Sequence, residues 1–353
     1  MSLETGITAL AQAIGADMKA LSARRSVYLR LDESTTFISP TDHFKIWLFG
    51  AGGSGAVALV LICAASASAP SPAGRAAATG GAAGGTSIKD VRCNVGDPFT
   101  LLLGAPGAGV TALVSSNRAG TYTSSETGNA GGASSFAGAG VSLLAEGGEG
   151  GKAAASSATT TALATAASVG GAASGGDENY TGGGCVPVYI PATPTGAQAV
   201  SFAGGSSGLY ADGLTSAAPT LTPHPVQCDF LNLLARRVSA NYPLTATTFG
   251  AYEASVLPGE VVALQQTYAN GSSQTLEAID VVGAFQGSIP GTPCSSGTRQ
   301  YFYLPDQTPF IGGGGAGLTS LDGASVVNSA YARAQATGAK GGAACAIIEV
   351  IYD

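Results

Sequence analysis

The sequence predicts a mainly β protein with irregular stretches, organised around a glycine-rich body. Three observations lead there. Glycine is concentrated: nine of the 24 residues from Gly128 to Gly151 and seven of the 15 from Gly170 to Gly184. Most of the remainder is Ala, Ser and Thr, so no core of large side chains can form there. Charged residues make up only 10% of the chain and mean hydropathy is +0.27, whereas a disordered segment is polar and charged. Finally, short alternating apolar runs bracket the glycine runs. Such a body is either a flexible linker or a packed array of extended chains that needs glycine where backbones touch. The low charge favours order.

Composition also excludes functions. A net charge of −7 over 353 residues and the lack of a basic run argue against a nucleic-acid-binding face. The longest apolar run, residues 56–69, falls short of the roughly 20 residues that span a bilayer. Residues 1–25 are amphipathic and carry acids, unlike a secretory leader, so synthesis in a cytoplasm is expected. The six cysteines stand far apart with no CxxC pair, which disfavours zinc. Buried free thiols are expected, with disulfides as the alternative.

Residues 1–25 form the first unit, a short N-terminal helix. Leu3, Ile7, Leu10, Ile14 and Leu21 follow heptad spacing and are assigned to attachment or oligomerisation. Residues 26–218 hold strands and the glycine-rich body. In SVYLRLD, Val27, Leu29 and Leu31 alternate as in a half-buried strand. TTFISPTDHFKIWLFG reads as strand, proline turn and strand, and residues 88–103 read as a hairpin around Gly96-Asp97-Pro98. Residues 134–136 and 141–143 supply further short strands. Residues 219–300 form an inserted subdomain, since only seven of its 82 residues are glycine. Within it residues 230–238 read as a short helix, and residues 256–268 and 276–285 as strands joined by a turn at Asn270-Gly271. Residues 301–353 return to glycine and close with the strand AIIEVIYD.

Motifs that imitate chemistry fail in context. GAGGSG at residues 50–55 matches a dinucleotide fingerprint, but no second βα unit follows. GAPGAGVT at residues 104–111 imitates a phosphate loop with Val110 where lysine must stand. Neither His43 nor His224 has a nucleophile motif nearby. Glu146, Glu149, Asp177 and Glu178 read as solvated loop acids. Paired carboxylates for glycoside cleavage are not specifically indicated. No cofactor or metal is expected.

TTFISPTDHFKIWLFGAGGSGA resembles the opening of the glycine-rich tail fibre and tail-tip adhesin proteins of tailed bacteriophages. VRCNVGDPFTLLLGAPGAG and TGNAGGASSFAGAGVSLLAEGGEGG are similar to the segments that follow in that family, and FIGGGGAG with AIIEVIYD to its close. The likeness covers about residues 35–185 and 299–353. It implies a virion tail protein, made in the host cytoplasm, whose body packs as polyproline-II-type helices joined by N–H···O and Cα–H···O contacts. Loops between those helices then bind the host receptor. On such loops Asn117, Tyr122, Asn179, Tyr180 and Tyr210 are the candidate receptor-binding residues, since amides and aromatic faces suit glycan or protein surfaces. Implied partners are other tail proteins, sister chains in a homo-oligomer with a trimer favoured, and a glycan or outer-membrane protein receptor. A purely structural collar, whisker or decoration protein is the second reading. A polysaccharide-degrading tail enzyme housed in residues 219–300 is the third.

Overall fold

The computed structural model describes residues 25–65, 74–158, 160–192, separate positions between 198 and 215, the strands between 236 and 281, and 311–352 except 316 and 326–331. Among these residues the fold is all β. Its plan is a shuttle. Strands of an inner tier run into a glycine segment, which runs into strands of an outer tier, and the chain turns back.

The first strands, β1 (Arg25–Leu31), β2 (Thr35–Ile38) and β3 (His43–Phe49), belong to the inner tier. Residues 50–56 carry the chain out to β4 (Val57–Ala64), and β5 (Arg75–Ala78) returns through residues 79–85 to β6 (Thr86–Arg92). The pattern repeats with β7 (Pro98–Leu102) inside, β8 (Thr111–Ser116) and β9 (Gly120–Glu126) outside, and β10 (Ser134–Gly138) and β11 (Val141–Ala145) inside. It continues with β12 (Ala153–Ser156) and β13 (Leu163–Ala164) outside, then β14 (Ala173–Ser174) and β15 (Glu178–Tyr180) inside, then β16 (Tyr189–Ile190) and β17 (Gln198–Ser201) outside. Between residues 236 and 281 lie β18 (Arg236–Leu244), β19 (Thr247–Val256), β20 (Glu260–Tyr268) and β21 (Ser273–Val281), an antiparallel meander. The shuttle ends with β22 (Leu318–Ser325) and β23 (Ala332–Thr337) outside and β24 (Cys345–Tyr352) inside.

The inner tier is a sandwich. One sheet has the order β1-β24-β3-β6-β15, the other β14-β11-β10-β7-β2. Their facing sides hold the largest core, with Phe44, Ile46, Leu48, Ile348 and Val350 opposite Phe37, Phe99, Leu101, Phe136 and Leu143. Phe99 and Phe136 stack at 5.1 Å and 6°. Phe44 meets them edge-on, at 85° to Phe99 and 80° to Phe136. Both arrangements suit the ring quadrupole.

The outer tier is layered by period-two alternation along β4. Val57, Leu59, Leu61 and Cys63 pack with Ala112, Ala334 and Ala336 of β8 and β23, while Ala58 and Val60 pack with Ala76 of β5. On the far side of β5, Ala77 meets Val188 and Ile190. Parallel pairing occurs where two strands run the same way through the shuttle: β22 with β4, and β17 with β5.

Between the tiers the described residues form no side-chain core; backbone holds backbone. The amides of Gly50, Gly53 and Ala56 donate to Gly85, Ala82 and Thr79. Those of Ala51 and Ser54 donate to Gly132 and Asn129, and those of Gly52 and Gly55 to Gly342 and Ala339. Every third residue thus faces the same neighbour, a period shared neither by strands nor by α-helices. Carbonyls serve three more neighbours: Gly148 and Gly151 donate to Ala51 and Ser54, Gly315 and Leu318 to Gly53 and Ala56, and Gly107 to Gly52. Residues 79–85 repeat this, bonding to 50–56, 146–152, 312–315, Gly171, Gly183 and Gly205. A Cβ on Gly52, Gly53, Gly81 or Gly84 would overlap a carbonyl group of an adjoining segment, so side chains are excluded there.

Several expectations need correction. Residues 88–103 are not a hairpin: β6 lies in one sheet and β7 in the other, so the turn at residues 93–97 crosses the sandwich. Both strands are amphipathic toward the same core, which a flat hairpin would not satisfy. Arg236, Arg237 and Val238 stand in β18, not in a helix over 230–238. Val27 and Leu29 are exposed, and only Leu31 of that face packs on the core. The strand expected over residues 256–268 splits between β19 and β20, and the one over 276–285 corresponds to β21. The helix expected over residues 1–25, with Leu3, Ile7, Leu10, Ile14 and Leu21, lies outside the described residues apart from Arg25, which opens β1.

Candidate functional site

The shuttle gives the molecule two unlike ends. At the outer end the described turn 117–119 joins the outer strands β8 and β9. The inner end carries Arg25 and Tyr352, which pair at the tip of β1 and β24.

At the outer end the 117–119 turn is built locally. The Ser116 hydroxyl accepts from the Arg118 amide at 3.0 Å and donates to the Arg118 carbonyl at 3.3 Å. This holds Asn117 outward and exposed at the tip. Tyr122 sits opposite Leu61 in β9, packs on Leu61, Cys63 and Ala334, and donates its hydroxyl to the Arg118 carbonyl at 3.3 Å. Asn117 and Tyr122 therefore belong to one small surface.

A residue outside the candidate set positions a second turn. Arg75 opens β5 and is the largest fully buried side chain among the described residues. Its Nη1 donates to the Thr161 carbonyl at 2.6 Å, tying the 157–162 turn to the tier. A lone arginine in GRAAATGGAAGG was the visible signal: in a run of small residues, a long cation has a partner to reach. Tyr189, 66% exposed on β16, adds an aromatic face to this end.

Asn179 and Tyr180 lie at the inner end, on β15. The Asn179 side chain closes its own turn, donating to the Gly176 carbonyl at 2.9 Å and accepting from the Gly176 amide at 3.1 Å and the Ser87 hydroxyl at 2.9 Å. Tyr180 donates to Glu178 at 2.6 Å. The structure thus separates Asn117 and Tyr122 from Asn179 and Tyr180. Tyr210 lies outside the described residues, as does His224.

The inner end holds most of the ordered charge. His43 meets the Asp90 carboxylate at 2.9 and 3.1 Å. Asp177 accepts from the Asp90 amide at 2.9 Å and from Lys89 at 3.0 Å, and these bonds hold its carboxyl below the usual range. Glu149 lies near Lys152 and accepts from the Val169 amide. Among the described residues no group of His, Cys, Asp and Glu could hold a metal ion. Cys63, Cys93, Cys185 and Cys345 are free thiols.

The dinucleotide-fingerprint match at residues 50–55 is explained by the glycine body. An anion needs unpaired amides, yet the amides of residues 50–55 all donate to neighbouring carbonyls. That segment is structural.

No protein-family model and no curated protein matches the chain. The geometry therefore carries the functional reading.

Proposed function

We propose that the chain is a structural virion protein of a phage tail, a tail fibre or tail-tip adhesin, displaying loops for host-receptor binding. In this reading the glycine body is a bundle of polyproline-II-type helices. Such a helix turns every three residues and has no internal hydrogen bonds. The threefold rotation of donors along residues 50–56, and the six neighbours of that segment, fit this geometry. Glycine where backbones meet lets rods approach closely, and Cα–H···O contacts add to the N–H···O bonds.

The carrying observation is the segregation of the ends. Among the described residues, ten glycine segments in alternating directions (50–56, 79–85, 104–109, 128–132, 146–151, 169–171, 182–185, 204–208, 311–315 and 338–342) put the 117–119 turn at the outer end and the described chain ends at the other. A stiff spacer with loops on one end serves recognition. Loop residues there can vary without disturbing the lattice. Asn117, Arg118, Tyr122 and Tyr189 offer amide, cation and aromatic groups suited to a glycan or an outer-membrane protein. Residues 1–24 attach the chain to the tail or to sister chains, in a trimer.

Adsorption competition tests this. Purified protein should slow adsorption of the phage to its host, and a variant with residues 117–119 replaced by Gly-Ser-Gly should compete less well. Absence of both competition and the protein from purified tails would overturn the reading.

A further inference from the structure

The apolar face of the inner sheet continues past the point where its cover ends. β1 stands at the end of the order β1-β24-β3-β6-β15. Its Val27 and Leu29 pair with Val350 and Ile348 of β24, both buried in the sandwich core. Directly paired residues share a face, so the apolar row runs from the core onto β1. There it lies open: Leu29 is 37% exposed and Val27 47%, and only Leu31 packs against the core.

β1 is also an unguarded edge. Among the described residues no strand pairs with its second side. Its seven residues pair with β24 in unbroken register, without a bulge and without proline. A long, regular, apolar edge is a template for pairing with another chain, and bulges, proline or shortness normally prevent this. The opposite edge of the same sheet, β15, has three residues, and the edges of the facing sheet, β14 and β2, have two and four. β1 alone is long enough for an extended ladder.

The strand is complementary to itself in one antiparallel register. A slip of one residue reverses the faces, setting Val27 against Arg30 or Asp32. A two-fold axis at Leu29 avoids this. It sets Leu29 against Leu29 of the second copy, Val27 against Leu31, Tyr28 against Arg30, Ser26 against Asp32 and Arg25 against Glu33. Apolar residues then meet apolar ones, and the cation at one end meets the acids at the other. An axis at Tyr28 sets Arg25 against Leu31; an axis at Arg30 sets two arginines together and Val27 against Glu33.

We infer that β1 pairs with β1 of a second copy of this chain, antiparallel about Leu29, joining two five-stranded sheets into one continuous sheet. The contact is isologous, each copy offering the same patch. It gives the open edge of β1 its backbone partners and sets apolar side chains beside Val27 and Leu29. It is separate from the trimer contact proposed for residues 1–24 and does not rest on the tail reading.

Cross-linking in the full chain tests the register. The two Leu29 positions are directly opposed, with Cβ atoms about 4.5–5.5 Å apart, whereas the two Val27 positions are offset by about 13 Å along the strands. Under mild oxidation Leu29→Cys should form disulfide-linked pairs at least about fivefold faster than Val27→Cys, above the background of the parent's own cysteines. Equal rates at both positions would show a parallel contact, as a bundle of residues 1–24 would impose. No cross-linking above the parent would show that residues 1–24 of the same chain, or another protein, cover β1. Either result would overturn the inference. Leu29→Lys gives a second reading that needs no thiol: it should halve the mass measured by sedimentation while the β circular dichroism is retained. A mass that this substitution leaves unchanged would overturn the pairing as well.

Discussion

The Gly53 amide donates to the Ala82 carbonyl at 2.9 Å, while the Gly53 carbonyl occupies the place where a side chain on Gly81 would begin. Two antiparallel segments thus touch backbone to backbone. Stability here comes from hydrogen bonds that glycine alone permits, with no apolar side chain between them.

Substituting these glycines should be costly. Gly53→Ala and Gly81→Ala each force backbone apart and should lower stability by about 1–3 kcal/mol, the usual range for overpacking. Thermal unfolding of each variant against the parent measures this. Unchanged melting of both would show that the segments are not tightly packed.

The β10–β11 turn offers the opposite experiment. Ala139 and Gly140 both have positive φ, 44° and 80°, as a type I′ hairpin turn requires. Alanine is poorly suited to that region, and asparagine is the preferred residue before glycine there. Ala139→Asn should raise stability by about 0.5–1 kcal/mol, read from the denaturation midpoint. Destabilisation would argue against this turn.

Thiol reactivity should rank by burial. Burial pushes the Cys345 thiol up to about 12 and raises that of Cys63. Only thiolates react, so at about pH 8, among the four described cysteines, an alkylating reagent should modify half-buried Cys93 first and leave Cys345 untouched until unfolding. Peptide mass mapping over time checks the order.

Asp177 sets a small acid dependence. Its carboxyl is held low by the Asp90 amide and then by Lys89. The contribution is present above the ordinary carboxylate range and fades as pH falls through the lowered value. The group is largely exposed, so the effect is at most about 1 kcal/mol. Melting temperatures between about pH 5 and pH 2 should therefore fall slightly less for Asp177→Asn than for the parent.

Arg75 should matter beyond its own strand. Arg75→Met keeps the bulk but removes the bond to Thr161. A loss of about 1–3 kcal/mol is expected, with faster proteolysis at residues 157–162. Unchanged cleavage there would show that the turn holds without the guanidinium.

Strands β3, β10, β11 and β24 were legible in the sequence because short apolar and β-branched runs beside turn or glycine signals are a local property. So was the need for order in the glycine runs, since low charge and crowded glycine leave few alternatives. The outer strands were harder to read. Residues 56–64 were seen only as an apolar run too short for a membrane, because β4 is buried on both faces and lacks alternation. Sheet membership was not legible either: β6 and β7 look like a hairpin, and only the shared core of Val91 and Phe99 shows that they face each other.

The candidate site divides the same way. Asn117 and Tyr122 meet because β8 and β9 turn at the outer end, whereas Asn179 and Tyr180 belong to a turn at the inner end. Their residue types alone do not separate these roles. The direction of each glycine segment does, and direction depends on long-range pairing. The sequence by itself determined that this chain is β-rich and that its body must be held by backbone contacts, because composition leaves no side chains for a core. Tertiary structure decided which segments touch and which strands share a tier, because a hydrogen bond between residues such as Gly53 and Ala82 depends on partners that no local pattern names.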